Sequence, residues 1–298
     1  MISDISGDGK ETVYIATDGN GVHFLSHKDR KVVRRFFHDV NDKEGIRSNS
    51  IYSLLVDDRG AVWVGHFQAG LDYSLYQNGL FRTYAYPPQF NSANLSIRSF
   101  VNRGPEKVIG SRDGLFYINE ATGIVKSFVK PVLTSDLILT ICFYEGEYYI
   151  GTYGGGMMVL NPQTLSLKYF TQGDTELFQK GHIFCVKPDN RGNLWIGTSQ
   201  GLFCYNGQTK QIKNFTSTNS QLPEGNVYEV SFDSTGKGWI ATETGMCIYD
   251  PASQSLRSNV FPEGFVHKDK VRTIYEDAEH NLYFIREKGS LFTSTLTM

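Results

Sequence analysis

One short unit recurs seven times along the 298 residues, and no other feature limits the fold as much. Its clearest column reads Tyr14-Ile15-Ala16-Thr17, Trp63-Val64-Gly65-His66, Val108-Ile109-Gly110-Ser111, Tyr149-Ile150-Gly151-Thr152, Trp195-Ile196-Gly197-Thr198, Trp239-Ile240-Ala241-Thr242 and Tyr283-Phe284-Ile285-Arg286. Four or five residues after the third position stands a glycine in every unit: Gly21, Gly70, Gly114, Gly156, Gly201, Gly245 and Gly289. A glycine there supplies the positive φ of a tight hairpin between a second and a third strand.

Upstream of each column lies an innermost strand. Its first position is Ile2, Ile51, Ile97, Ile138, Ile183, Val227 or Val271, and three residues later stand Ile5, Leu54, Phe100, Ile141, Val186, Val230 and Ile274. Both faces of this strand read as apolar, as expected of a strand sandwiched between neighbouring sheets. Turns such as Asp57-Asp58-Arg59-Gly60, Asp189-Asn190-Arg191-Gly192 and Asp233-Ser234-Thr235-Gly236 join first to second strands. Outer strands such as Phe81-Arg82-Thr83-Tyr84, Val125-Lys126-Ser127-Phe128, Leu167-Lys168-Tyr169-Phe170 and Ile212-Lys213-Asn214-Phe215 alternate apolar with polar, as one solvated face requires.

The unit repeats every 41 to 49 residues, the room that four short strands and their turns occupy in a propeller blade. The fold expected is all-β: a seven-bladed β-propeller of four-stranded antiparallel blades, one domain over 1–298. The blades fall near 1–48, 49–95, 96–136, 137–181, 182–225, 226–269 and 270–298, the last without a clear outermost strand. Aromatics at 13% and 30 glycines agree with an all-β chain, and no window keeps helical apolar spacing over three turns. A β-solenoid uses shorter coils, and a Greek-key sandwich does not repeat in this way.

A formal charge of −2, from 29 basic and 31 acidic residues, offers no excess of cations for a phosphate backbone, so no nucleic acid partner is expected. No run of 18 apolar residues occurs, and Met1-Ile2-Ser3-Asp4-Ile5 lacks the pattern of a secretion signal; the expectation is a piece of a longer protein. Cys142, Cys185, Cys204 and Cys247 occur singly, two on innermost and two on third strands, and read as free core thiols. No metal or other cofactor is expected.

Asn193-Leu194-Trp195-Ile196-Gly197-Thr198-Ser199-Gln200-Gly201-Leu202-Phe203-Cys204-Tyr205 resembles the two-component regulator propeller repeat, whose core runs from an aspartate turn through Leu-Trp-Ile-Gly-Thr to Gly-Leu. The likeness recurs along the chain. It is close in the second, fifth and sixth units, fair in the fourth, and weaker where Tyr14, Val108 and Tyr283 replace Trp. The resemblance implies an extracytoplasmic sensor region, periplasmic or extracellular, of an inner-membrane hybrid two-component histidine kinase. It implies an oligosaccharide ligand, self-association within a receptor dimer, and membrane attachment only through segments downstream of this chain.

Ligands of propellers usually meet the turns between second and third strands and the loops between blades. Turns that depart from the shared Gly-Thr pattern single out His66, Phe67, Gln68, Ser111, Arg112, Asp113, Tyr153, Glu243 and Arg286-Glu287-Lys288. The ligand-binding candidates are His66, Phe67, Gln68, Arg112, Asp113, Tyr153, Glu243 and Arg286, because aromatic faces stack on sugars while polar groups satisfy hydroxyls. Between-blade loops add Tyr86, Phe90, Phe178, His182, Phe265, His267 and Lys268, with Phe90 read rather as a plug between blades. Trp63, Trp195 and Trp239 repeat around the chain and are therefore packing residues.

No catalytic motif is present: H-E-x-x-H, G-x-S-x-G and a phosphate-binding glycine loop are all missing, and the seven histidines fall at unlike positions of the repeat. No catalytic residue is therefore assigned. An alternative is a lyase-like propeller enzyme whose acid and base come from Asp4, Glu229, His66 or His182. A second is a protein-interaction scaffold, which the missing Trp-Asp dipeptide disfavours.

Overall fold

The computed structural model describes residues 1–8, 12–26, 28–29, 31–42, 44–57, 59–75, 80–84, 95–173, 175–258, 269–277, 279–286 and 291–295. The first blade comprises β1 (Ile2–Gly7), β2 (Thr12–Thr17), β3 (Val22–Ser26) and β4 (Lys31–Phe36). The second comprises β5 (Ile51–Val56), β6 (Val62–His66), β7 (Leu71–Ser74) and β8 (Arg82–Thr83), and the third β9 (Ile97–Arg103), β10 (Glu106–Ser111), β11 (Leu115–Asn119) and β12 (Ile124–Phe128). The fourth holds β13 (Ile138–Tyr144), β14 (Glu147–Thr152), β15 (Met157–Leu160) and β16 (Leu167–Tyr169). A short helix, α1 (Thr175–Lys180), leads into the fifth: β17 (Ile183–Pro188), β18 (Asn193–Thr198), β19 (Gly201–Asn206) and β20 (Ile212–Phe215). The sixth is β21 (Val227–Phe232), β22 (Gly238–Thr242), β23 (Gly245–Asp250) and β24 (Ser255–Arg257), and the last repeat gives β25 (Val271–Glu276), β26 (Asn281–Arg286) and β27 (Leu291–Thr295).

Strands pair in sequence order, so every blade is an antiparallel meander. The expectation of seven four-stranded blades is corrected: among the described residues there are six, and the last repeat forms a three-stranded sheet, β25-β26-β27.

The chain divides into two compact units, one built mainly from Met1–Ser127 with Tyr275–Tyr283, the other mainly from Phe128–Ile274 with 284–286. Within each, apolar clusters join consecutive blades. In the first unit Tyr14, Ala16, Val22 and Phe24 pack against Ile51, Leu54, Val62 and Val64, and Trp63 and Leu71 against Ile97, Ile109 and Phe116. In the second, Tyr149, Met157 and Val159 meet Ile183, Val186, Ile196 and Phe203, while Trp195 and Leu202 meet Val227, Val230, Ile240 and Cys247. Burying one such large side chain contributes about 1.5–3 kcal/mol, and the stacking of blades supplies the cover that a lone sheet lacks.

The repeat's fixed letters each have a physical cause. The turn aspartates bind the indoles: Trp63, Trp195 and Trp239 are buried, and each Nε1 donates to the carboxylate six residues upstream, Asp57 at 3.0 Å, Asp189 at 2.9 Å and Asp233 at 2.9 Å. The small third position is set by close approach: a Cβ on Gly197 would lie 2.5 Å from Cys185 Sγ and 2.7 Å from the Val227 carbonyl of the next blade. The hairpin glycines of the six four-stranded blades all have positive φ, from 69° at Gly21 to 139° at Gly245. All four cysteines are free; burial pushes the Cys142 thiol up to about 11 and raises those of Cys185 and Cys247 further.

The innermost strand differs from its sequence reading. Ile51 pairs with His66 and Leu54 with Val64, partners two apart, so the two apolar columns share one face and do not cover both. A bulge after the first residue makes three steps along the chain into two along the ladder.

Candidate functional site

That bulge builds the site. In the second blade the register steps from Ile51↔His66 to Ser53↔Gly65 and leaves Tyr52 with no partner across the ladder. The same step passes over Ser3, Arg98, Leu139, Phe184 and Tyr228. A bulge re-aims the extra side chain, and all six are partly exposed, although from the second blade to the sixth the residue before each is buried. Each stands where the innermost strand leaves the between-blade loop.

In the first unit three residues gather. The Phe67 ring lies 5.1 Å from that of Tyr52, and the Arg98 guanidinium sits over Tyr52 at 4.6 Å. Gln68 is exposed, with φ 55°, and its N–H donates to Ser96 Oγ at 3.2 Å. Arg112 and Asp113 are exposed on the third blade's turn; the Arg112 N–H donates to the Ser96 carbonyl at 3.1 Å and the Asp113 N–H to Ser111 Oγ at 2.9 Å. His66 does not face this surface. It is fully buried, and its Nε2 donates to Asp72 Oδ2 at 2.8 Å, while the backbone N–H and Nε of Arg47 donate to the same carboxylate at 2.9 Å each. Burial pushes the Asp72 carboxyl up, but the hydrogen bonds and charges of His66 and Arg47 outweigh it and hold the group below the ordinary carboxylate range.

In the second unit a line of rings runs across three blades. Tyr153, half exposed, lies on His182 with ring centres 4.0 Å apart; His182 is 6.2 Å from Phe184, and Phe184 is 5.1 Å from Tyr228. The line ends in a polar cluster. The Tyr228 hydroxyl donates to Glu243, Asn226 donates to Glu243 Oε2 at 3.0 Å, and Lys270 Nζ lies 3.1 Å from Glu243 Oε1. Lys270 and Arg272 stand over the Tyr228 ring at 4.8 and 5.2 Å. Partial burial works against the charge of Glu243, but the hydrogen bonds from Tyr228, Lys270 and Asn226 prevail and keep its carboxyl below the usual range. Arg286 is occupied by Asp269, with Nη1 2.7 Å from Oδ2.

Of the loop candidates, Phe178 is buried against Phe170 and Phe203, with ring centres 5.0 and 5.3 Å away, and only His182 joins the line of rings. Tyr86, Phe90, Phe265, His267, Lys268, Glu287 and Lys288 lie outside the described residues. Asp4, considered as a catalytic acid, caps backbone: Oδ1 accepts from Ile5 N–H and Oδ2 from Leu54 N–H, at 2.9 and 2.8 Å. Glu229, its carboxyl raised by burial, lies 3.3 Å from Lys187.

Sequence reasoning missed Asn226 and Lys270, which hold Glu243, and Tyr52, Arg98, Phe184, Tyr228 and Arg272, which share one repeat position. The signal of those five is a column, Ser3, Tyr52, Arg98, Leu139, Phe184, Tyr228, Arg272, that varies from repeat to repeat beside one that is always Ile or Val.

Two segments, residues 45–68 and 178–200, match the family described as Two component regulator propeller. Both run from a between-blade loop through the innermost strand and Asp turn to the end of the second strand or the turn beyond it. No curated protein matches the sequence. Among solved structures, the extracellular domain of the hybrid two component system BT3049 from B. thetaiotaomicron superposes with a TM-score of 0.80 at 22% identity, over 99% of this chain and 39% of that one. The extracellular domain of BT4673 from the same organism gives 0.76 at 18%, over 98% and 38%. The computationally designed Ika8 protein gives 0.63 at 12%, over 98% and 85%. At these identities the likeness is one of fold, and the chain spans about two fifths of the two bacterial domains. Among the described residues no helix is long and apolar enough to cross a membrane.

Proposed function

We propose that this chain, whose second and fifth repeats are of the two component regulator propeller type, is a ligand-sensing propeller of a hybrid two-component receptor. It works outside the cytoplasm, as the named bacterial domains do, and binds an oligosaccharide without transforming it. In the parent receptor it belongs to a dimer whose rearrangement carries the signal through membrane-spanning segments beyond this chain.

The observation that carries this reading is the line Tyr153, His182, Phe184 and Tyr228, ending at Glu243, Asn226 and Lys270. Rings of this kind offer flat apolar faces to the C–H faces of sugars, and the polar end offers both donors and acceptors to hydroxyls. The rings come from three successive blades and offer more than one stacking position, which suits an oligosaccharide better than a monosaccharide. Phe67, Gln68, Arg112 and Asp113 form a second surface of similar chemistry on the first unit, around Tyr52 and Arg98.

Isothermal titration with an oligosaccharide panel tests the proposal. Binding is expected, with Phe184→Ala weakening it about tenfold, the loss of roughly 1.4 kcal/mol of stacking. Recovery of a chemically altered saccharide after incubation would replace the sensor by the enzyme reading, and a panel that binds nowhere on the chain would remove the ligand from it.

A further inference from the structure

We propose that the groove on the outer rim between the fifth and sixth blades docks an extended peptide segment of a partner protein, one that carries acidic side chains and pairs with the edge of β24. The groove lies within the second unit and encloses about 500 Å³ between β20, β24 and the loop that joins the two blades.

The outermost strand of a blade has a neighbour on one side only, so alternate residues turn a backbone N–H and C=O away from the sheet. On β20 that edge is closed: Asn219 Nδ2 donates to the Asn214 carbonyl at 3.3 Å, and its Oδ1 accepts from the Thr216 N–H at 2.8 Å. On β24 it is open in the middle. The Ser258 N–H turns outward to Gln221 Oε1 at 3.1 Å, and Lys213 Nζ donates to the Gln254 carbonyl at 3.3 Å. Leu256, midway between, turns its own N–H and C=O the same way and meets no backbone partner among the described residues.

The second blade shows what fits there. Tyr73 and Ile248 stand opposite Trp63 and Trp239 on their ladders, and their partners on the outer strands are Arg82 and Arg257, so Phe81 and Leu256 hold one position of the repeat. The Phe81 N–H donates to a backbone carbonyl, that of Glu44 in the loop before its blade, at 2.6 Å. In the sixth blade the corresponding loop sends only the Gln221 side chain to the edge. A backbone from another chain can take the place that Glu44 takes in the second blade, which is strand addition.

Charge selects the partner. Lys213 is exposed, lies 4.8 Å from the centre of the Phe215 ring and has no carboxylate partner, while Arg257 has Asp250 at 3.4 Å. Among the described residues that line the groove there are two cations and no acid. A segment with a carboxylate beside Lys213 matches this lining, and a basic one is repelled. Phe215, the one ring among those residues, is buried, so a sugar finds no stacking face here.

The test titrates the chain with a short fluorescent peptide of alternating valine and glutamate, its glutamine counterpart, and the acidic peptide N-methylated at every second residue in each of the two phases. The acidic peptide is expected to bind, to shift the Leu256 amide resonance, and to lose about fivefold in affinity when glutamine replaces glutamate, a gap that high salt narrows. One N-methylated phase is expected to lose binding, because its blocked nitrogens face the edge. Lys213→Gln is expected to make acidic and neutral peptides equal without moving the melting temperature. Equal binding of acidic and neutral peptides to the native chain overturns the acidic partner, and undiminished binding of both N-methylated phases overturns the strand pairing. Binding of no peptide overturns the whole proposal. None of these residues belongs to the line of rings, so each of those outcomes leaves the sensor reading standing.

Discussion

The second and the sixth blades depart from the common repeat within one residue of each other, with opposite results. In the second blade the departure is His66, the last residue of its strand, at the position held by Thr17, Ser111, Thr152, Thr198 and Thr242 in the other four-stranded blades. That position points inward: in those five blades the side-chain hydroxyl donates to the carbonyl of the hairpin glycine, at 2.8–3.1 Å. His66 cannot copy this bond and turns instead to Asp72, itself the one acid in a column otherwise occupied by His23, Phe116, Met158, Phe203 and Cys247. In the sixth blade the departure is Glu243, one residue later, the first residue of the hairpin turn that follows β22. There it meets Tyr228, Asn226 and Lys270 near the surface. A departure from a repeat is therefore open to a ligand only when its partner is also accessible; His66 and Asp72 are buried and satisfy one another.

The strongest way to break this distinction is His66→Ala. It leaves Asp72 buried with only Arg47 to offset its charge and is expected to cost about 3–5 kcal/mol of unfolding free energy in urea titrations, while His66→Thr with Asp72→Leu recovers most of that. A small effect would mean that Asp72 does not depend on His66.

Next comes acid. The folded carboxyl of Asp72 lies below its ordinary value, so its contribution to stability is complete above the unfolded pKa, near 4, and is lost as pH falls through the lower folded value. Asp72→Asn is expected to be less stable than the native chain by about 1–3 kcal/mol at pH 7, with the gap closing below about pH 4. Melting curves from pH 7 to 3 that stay parallel would refute it.

A smaller change is expected from Thr198→Val, which removes one buried hydroxyl bond to the Gly201 carbonyl for about 1 kcal/mol. Smallest of all is Tyr153→Ala, one residue along from the same inward position on the fourth blade, expected to shift stability by under about 0.5 kcal/mol while weakening saccharide binding. A large loss of stability there would make Tyr153 a packing residue and collapse the comparison.

Much of the blade was legible because packing repeats wherever the sequence does. The indole column, the hairpin glycines and the small third residue each report a contact made again in the next blade, such as Gly197 against Cys185 and Val227. The last sheet was read only as irregular, and its three strands reduce the four-stranded blades to six. The site was less legible. Its turn residues were picked without separating inward from outward positions, which placed His66 beside Phe67 and Glu243. The innermost strand was taken as regular, so the three-residue spacing of Ile51 and Leu54, itself the trace of a bulge, hid Tyr52 between them. Bringing His182 under Tyr153 depends on how one blade's turn meets the next blade's loop, which no local pattern encodes.

The bulge also bears on how such a chain can change over generations. A residue with no partner across the ladder can be exchanged without disturbing register, and its neighbours hold the strand in place whatever it is. Each duplication of the repeat thus delivers one more position open to mutation at little cost in folding, and Ser3, Tyr52, Arg98, Leu139, Phe184 and Tyr228 show how far such positions have already diverged. Two homologues with interchangeable frameworks could accordingly differ in what they recognise through a handful of codons, one for each blade.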